Sequence, residues 1–175
     1  ALTEGINEET DRMARAALLL QRAVAYAEAQ NYADAIADLD DYLSIDTLSA
    51  IGRWERAVCQ AMLNSYDASR GQNVSMKSAQ VEGDIAEAIK VAPKNAYLFY
   101  NRGNLYAAAK NYSRAIDDYS RAIEIDPNFA EAYLNRGLAR CYSGKTTDGL
   151  HDFSKAGELG LYNAYAISKQ LSRKK

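Results

Sequence analysis

The sequence predicts an all-α fold, built from four consecutive helical hairpins and a C-terminal capping helix. The first observation is composition: 175 residues include 31 alanines but only 2 prolines and 10 glycines. Alanine loses no side-chain entropy in a helix and proline breaks one, so this composition favours helix. The second observation is a repeat, because Asn101-Arg102-Gly103 returns as Asn135-Arg136-Gly137, 34 residues later. The third is that small, large and charged residues recur at matching places elsewhere in the chain.

The repeat divides most of the chain into four units. We place them approximately at residues 16–49, 50–95, 96–129 and 130–163. The second unit is 46 residues long instead of 34, so it carries an insertion of 12 residues. Polar residues concentrate near residues 66–77, and we expect the insertion there, between the two helices of that unit.

Three places of the unit predict the helical core. The eighth and twentieth places are mostly small, as expected where two antiparallel helices approach closely. The twenty-fourth place is large, as expected for a group that fills the space between neighbouring units. The residues at the three places are, in turn, Ala23, Ala57, Gly103 and Gly137; Ala35, Val81, Ala115 and Gly149; and Leu39, Ile85, Tyr119 and Phe153.

Two charged places recur in all four units. The seventh carries Arg22, Arg56, Arg102 and Arg136, and the twenty-third carries Asp38, Asp84, Asp118 and Asp152. The planar guanidinium of arginine can bond a carboxylate twice, so we expect each arginine to pair with the aspartate of its own unit. The alternative is that the arginines form a ladder for a ligand.

The two ends have helical signals of their own. The segment 7–11, Asn-Glu-Glu-Thr-Asp, predicts the start of a first helix that is longer than its counterparts. After the fourth unit, Gly157 and Gly160 end a helix, and a capping helix is predicted over residues 163–173. The basic residues that follow suit the negative end of that helix; a tail for nucleic acid is the alternative.

The unit that begins at Ala96 resembles a known repeat. Gly103 at the eighth place, Tyr106 at the eleventh, Ala115 at the twentieth and Pro127 at the thirty-second reproduce the spacing of the tetratricopeptide repeat. The resemblance implies a right-handed superhelical solenoid that forms one domain over residues 1–175. The arginine-glycine units look most like those of bacterial repeat proteins.

Other features exclude several classes of function. No apolar run approaches the roughly 20 residues that span a bilayer, and 21 basic against 23 acidic residues gives no footprint for nucleic acid. Cys59 and Cys141 stand apart, and we expect both to be helix thiols. His151 is the single histidine and should face solvent. We therefore expect no enzyme, no metal and no cofactor.

The resemblance implies a binding groove, since the first helices of successive tetratricopeptide units line a concave surface that holds peptides. The residues that it places there are Trp54, Val58, Tyr97, Tyr100, Asn101, Asn104, Leu134, Asn135 and Leu138. Leu20, Val24, Cys141 and Tyr165 lie at matching places. Tyrosine and tryptophan offer large contact areas, and asparagine can bond a peptide backbone on both sides.

A specialised version of the groove grips C-terminal carboxylates with lysine, arginine and asparagine. Asn104 and Asn135 match that pattern, but Tyr100 and Tyr165 stand where the two lysines belong. Lys169 alone supplies a cation, at the arginine's place. A site without its cations holds carboxylates weakly, so we expect no such clamp.

The sequence thus predicts a module that binds a protein or peptide partner in the groove. One alternative is an architectural spacer or a self-association segment of a larger protein. Another is a regulatory or carrier domain for a small ligand or an enzyme subunit. We favour a monomer over a self-associating chain. The chain begins at Ala1 without an initiator methionine, so we expect a processed product or a piece of something longer, and no compartment is predicted.

Overall fold

A computed structural model describes residues 2–69 and 75–172, with side chains over 10–64 and 80–171. This part of the chain contains nine α-helices and no strand, as the composition and the repeat predict. Their bounds are α1 Leu2–Glu28, α2 Tyr32–Ile45, α3 Ala50–Ser69, α4 Ser75–Val91, α5 Ala96–Ala108, α6 Tyr112–Ile125, α7 Ala130–Tyr142, α8 Thr146–Glu158 and α9 Asn163–Ser172.

The helices form two compact bodies, the N-terminal half Ala1–Pro93 and the C-terminal half Lys94–Lys175. In the N-terminal half α1 packs on α2, α2 on α3, and α3 on α4. In the C-terminal half α5 packs on α6, α6 on α7, α7 on α8, and α8 on α9. The architecture is an all-α helical repeat of four hairpins and a terminal helix, as predicted. The prediction of one solenoid domain over residues 1–175 stays a prediction.

The turn inside three hairpins has the same geometry. Gln30, Lys110 and Gly144 occupy the same place of their units, and all three have positive φ, at 60°, 58° and 85°. The amide of the next residue donates to a carbonyl five residues back, as from Asn31 to Tyr26 and from Asn111 to Tyr106, both at 2.8 Å. This closure satisfies carbonyl groups that a helix end leaves open.

The small places hold the hairpins close together. A Cβ on Gly103 would lie 2.7 Å from the ring of Tyr119, and one on Gly137 would lie 2.7 Å from the ring of Phe153. Ala35 and Ala115 have no exposed surface. The large residues of the twenty-fourth place are at most 1% exposed, so these places are core, as predicted.

Each predicted arginine–aspartate pair is present and bidentate. In every pair, Nε and Nη2 donate to the two carboxylate oxygens, over distances between 2.6 and 3.0 Å. The aspartate side chains are at most 9% exposed. Two arginines also reach the preceding hairpin, from Arg56 to Asp40 and from Arg136 to Ser120. The arginines therefore join helices, and the structure does not support the ligand ladder.

The ends differ in part from the prediction. The first helix is the longest, with 27 residues, but it begins at Leu2 and places Asn7 inside it. No proline interrupts residues 2–7, so the helix continues past the polar segment. At the other end, Ala164 is fully buried, and Ile167 and Leu171 pack with it against Phe153. The capping helix is therefore confirmed, while the basic residues 173–175 lie outside the described residues.

The insertion lengthens helices. Helix α3 runs for 20 residues and α4 for 17, whereas α5 and α7 have 13 each and α6 has 14. The predicted segment near 66–77 thus overlaps both helices. Its central residues, 70–74, lie outside the described residues. Polar side chains do not break a helix, which explains why helix extends into a segment that reads as a polar connection.

Candidate functional site

In the C-terminal half, three of the predicted residues form one hydrogen-bonded group. The side-chain amide of Asn135 on α7 donates to Asn104 Oδ1 at 3.0 Å and to the hydroxyl of Tyr100 at 3.1 Å, both on α5. The hydroxyl of Tyr119 on α6 donates to the same Asn104 oxygen at 2.8 Å. The three helices thus fix the orientation of both asparagine amides.

This geometry leaves one donor and one acceptor open. Within the described part of the chain, no group bonds Asn104 Nδ2 or Asn135 Oδ1. Both asparagines line a surface cavity of about 370 Å³. A peptide group carries one N–H donor and one C=O acceptor, so the two open groups are of the kinds that pair with a peptide backbone.

Aromatic side chains lie at the second and fifth places of α5. Tyr97 and Tyr100 both contact Phe129, with ring centroids 4.9 and 4.7 Å apart. Tyr97 is 64% exposed, whereas Tyr100 is half-buried against Tyr119 as well. Of these two tyrosines on α5, Tyr97 therefore has the more exposed ring.

The remaining predicted residues of the C-terminal half lie partly in the core and partly on the surface. Asn101 is half-buried on α5 and makes no hydrogen bond with a described residue. Leu134 and Leu138 pack against the cluster of Phe153, Ala156 and Ala164, so part of each side chain belongs to the core. Leu138 also lines the cavity.

Some residues of the cavity were not predicted from the sequence. Tyr142 is 69% exposed and stacks on Tyr112, with ring centroids 5.3 Å apart and an angle of 22°. Both line the cavity, together with Lys110 and the core residue Tyr119. Burial raises the pKa of the Tyr119 hydroxyl, with smaller effects from Tyr100 and Asp118, so this group acts as a donor. The thirteenth place of the unit, which Tyr142 occupies, was the available signal.

In the N-terminal half, α3 carries the predicted Trp54 and Val58, and both are half-buried. On α1, Leu20 packs into the core, while Val24 is 41% exposed. The structure adds Glu55, a half-buried carboxylate that follows Trp54 in the chain. Burial raises the pKa of the Glu55 carboxyl. A single charged residue at the sixth place of the repeat does not stand out in the sequence, because most charged residues are exposed.

Reactive groups are absent from these faces in the described residues. Burial raises the pKa of the Cys59 thiol to about 11, and the charge of Glu55 adds to that shift. Burial also raises the pKa of Cys141. His151 is exposed, and no cluster of three or more potential metal ligands occurs in the described part. In the same residues, no helix is long and apolar enough to cross a membrane.

Comparisons with known proteins agree with this architecture. Models of the tetratricopeptide repeat match residues 96–129 and 20–72. The sequence has no significant match among curated proteins. A crystal structure of MamA is similar at 24% identity, with a TM-score of 0.70, over 86% of this chain and 81% of that one.

Two further structures extend the comparison. PilF of Pseudomonas aeruginosa is 20% identical, with a TM-score of 0.69; the match covers 86% of this chain and 63% of PilF. The first tetratricopeptide domain of Spaghetti (RPAP3), bound to the HSP90 peptide SRMEEVD, is 20% identical with a TM-score of 0.52, over 69% of this chain and 94% of that one. Such likenesses establish the fold.

The register, the two matched segments and the structural likenesses agree with one another. Tetratricopeptide domains are general protein-interaction modules and are typically non-catalytic scaffolds. The chain belongs to the tetratricopeptide repeat family.

Proposed function

We propose that this chain binds an extended peptide segment of a partner protein along the exposed face of α5 and α7, the first helices of its C-terminal half. The observation that carries the proposal is the open donor Nδ2 of Asn104 together with the open acceptor Oδ1 of Asn135. Hydrogen bonds from Tyr119, and between the asparagines themselves, hold both amides in place before any ligand arrives. A preorganised site loses less entropy on binding, so these bonds favour affinity.

The side chains around the pair suit a peptide. Tyr97, on the same helix as Asn104, is 64% exposed, and Tyr142, which lines the cavity with both asparagines, is 69% exposed. Exposed tyrosines supply large contact areas at little entropic cost. The asparagines would bond the backbone of the peptide, and the tyrosines would contact its side chains.

The same face argues against a peptide held by its C-terminal carboxylate. Tyr100 stands where the carboxylate clamp has a lysine, and its hydroxyl already accepts a bond from Asn135. The cavity beside it has one cationic residue, Lys110, at the turn after α5. We infer that the partner presents an internal segment.

Selection from a random peptide library displayed on phage tests this proposal. The full chain is the bait, and the selected peptides are resynthesised and titrated by fluorescence anisotropy. We expect Asn135→Leu to weaken binding at least about tenfold, since it removes the bond to the peptide and the bond that orients Asn104. Asn128→Ala is the matched control, because Asn128 is an exposed asparagine of the turn after α6.

Two results would refute the proposal. One is that no peptide is enriched by the wild-type chain. The other is that the enriched peptides bind wild type and Asn135→Leu with equal affinity. Circular dichroism melts of each variant separate a loss of binding from a loss of fold.

A further inference from the structure

In the N-terminal half, helix α3 carries a half-buried carboxylate next to a tryptophan. Glu55 follows Trp54 directly in the chain, and both residues are half-buried. Its neighbours at helical spacing are Ile51, Gly52, Val58 and Cys59, none of which is charged. The corresponding places of the adjacent first helix, α1, carry Leu20, Gln21 and Val24.

No cation of the described chain compensates this charge. Glu55 makes no hydrogen bond or ion pair with any described residue. The adjacent Arg56 is committed to Asp84 and Asp40. Burial alone accounts for the raised pKa of Glu55, which agrees with a carboxylate that has lost water and gained no partner.

A half-buried carboxylate without a partner carries an electrostatic cost that a bound cation removes. Trp54, the preceding residue, adds a second element, because the indole ring attracts cations more strongly than other aromatic rings do. The two side chains therefore complement a positively charged group with an apolar stem. Lysine and arginine have that combination.

We propose that Trp54 and Glu55 form a subsite for a lysine or arginine side chain of a peptide bound on α3. This inference rests on the proposed function and adds the class of side chain that the N-terminal half selects. The C-terminal half differs, since the sixth place of its repeats carries the neutral Asn101 and Asn135. The carboxylate thus assigns a basic residue to a segment that binds on α3.

Parallel selections from one peptide library test the subsite, with wild type and Glu55→Gln as baits. We expect the wild-type pool to carry lysine or arginine at one fixed position, and the Glu55→Gln pool to lack that preference. Glu55→Gln removes an uncompensated charge, so its melting temperature should equal or exceed that of wild type. A lower melting temperature would contradict the claim that the carboxylate has no partner among the described residues.

Titration of a selected peptide then locates the contact. The chain has one tryptophan, so its emission reports on Trp54 directly. Binding should change that emission, and replacement of the basic residue by norleucine should weaken binding to wild type about tenfold. The same replacement should leave the affinity for Glu55→Gln nearly unchanged.

The outcomes separate the subsite from the proposed function. Wild-type and Glu55→Gln pools with the same sequence preference would overturn the subsite and leave the peptide-binding function intact. A silent Trp54 at saturation would also overturn the subsite alone. Failure of the wild-type chain to enrich any peptide would overturn both.

Discussion

Asn135 donates from its side-chain amide to Asn104 Oδ1 at 3.0 Å, and this bond joins α5 and α7, the first helices of two successive repeats. The acceptor oxygen is shared with the hydroxyl of Tyr119, which lies on the helix between them in the chain. One asparagine oxygen thus connects α5, α6 and α7, while Asn104 Nδ2 and Asn135 Oδ1 make no hydrogen bond with a described residue.

Tyr119→Phe tests the contribution of this network to stability. The substitution keeps the buried ring and removes one donor to Asn104, so we expect unfolding to become easier by about 1 kcal/mol. Urea denaturation followed by circular dichroism measures the change. Tyr112→Phe is the control, since its hydroxyl makes no hydrogen bond with a described residue, and it should change stability by less than about 0.5 kcal/mol. Equal effects of the two substitutions would contradict the network.

The arginine–aspartate pairs are tested by a double-mutant cycle on Arg102 and Asp118. Their side chains are 27% and 8% exposed and make two hydrogen bonds of 2.7 Å. We expect a coupling energy of about 1–2 kcal/mol from thermal or urea unfolding of both single variants and the double variant. The same cycle on the exposed pair Arg121–Glu124 should give less than about 0.5 kcal/mol. Additive losses at Arg102 and Asp118 would show that the pair does not stabilise the hairpin.

Gly103→Ala tests the close approach of helices at the eighth place. A Cβ there would lie 2.7 Å from the buried ring of Tyr119, so the gain in helix propensity should be outweighed. We expect a net loss of about 1–2 kcal/mol in the free energy of unfolding. Gly83→Ala is the matched control on α4, where a Cβ meets nothing within 4 Å. It should stabilise the chain by about 0.5–1 kcal/mol, and a loss of stability there would be inconsistent with this explanation.

The pH dependence of stability tests the pair of Arg22 and Asp38. The hydrogen bonds from Arg22 lower the pKa of the Asp38 carboxyl below its ordinary value, although burial opposes them. A lowered folded-state pKa stabilises the fold above the unfolded pKa of about 3.9, and this stabilisation is lost as the pH falls through the folded value. Wild type should therefore exceed Asp38→Asn in stability by a constant amount above about pH 5. The difference should shrink in more acidic solution, and a constant difference down to about pH 2 would argue against the lowered pKa.

The register predicted the fold and its internal pairs because each place of the repeat has a fixed neighbour. Gly103 was predicted at the close approach of two helices, and Arg136 was predicted to pair with Asp152; the structure shows both, with the ring of Tyr119 against Gly103. Spacing alone determines such contacts.

The site was predicted less completely. Asn104 and Asn135 were placed on one face, but the sequence does not encode which amide atom turns toward which neighbour. That choice depends on the position of the Tyr119 hydroxyl in three dimensions. Glu55 was missed for a related reason, since a carboxylate is notable only where its burial and the lack of a cation are known.

The most direct test of peptide binding by the asparagine pair is an NMR titration of side-chain amides. The full chain, labelled with nitrogen-15, is saturated with a peptide that the wild-type chain selects. We expect the side-chain NH₂ signals of Asn104 and Asn135 to move on binding, while that of the exposed Asn128 stays in place. Saturation that leaves the Asn104 and Asn135 signals unmoved would contradict peptide binding by the asparagine pair.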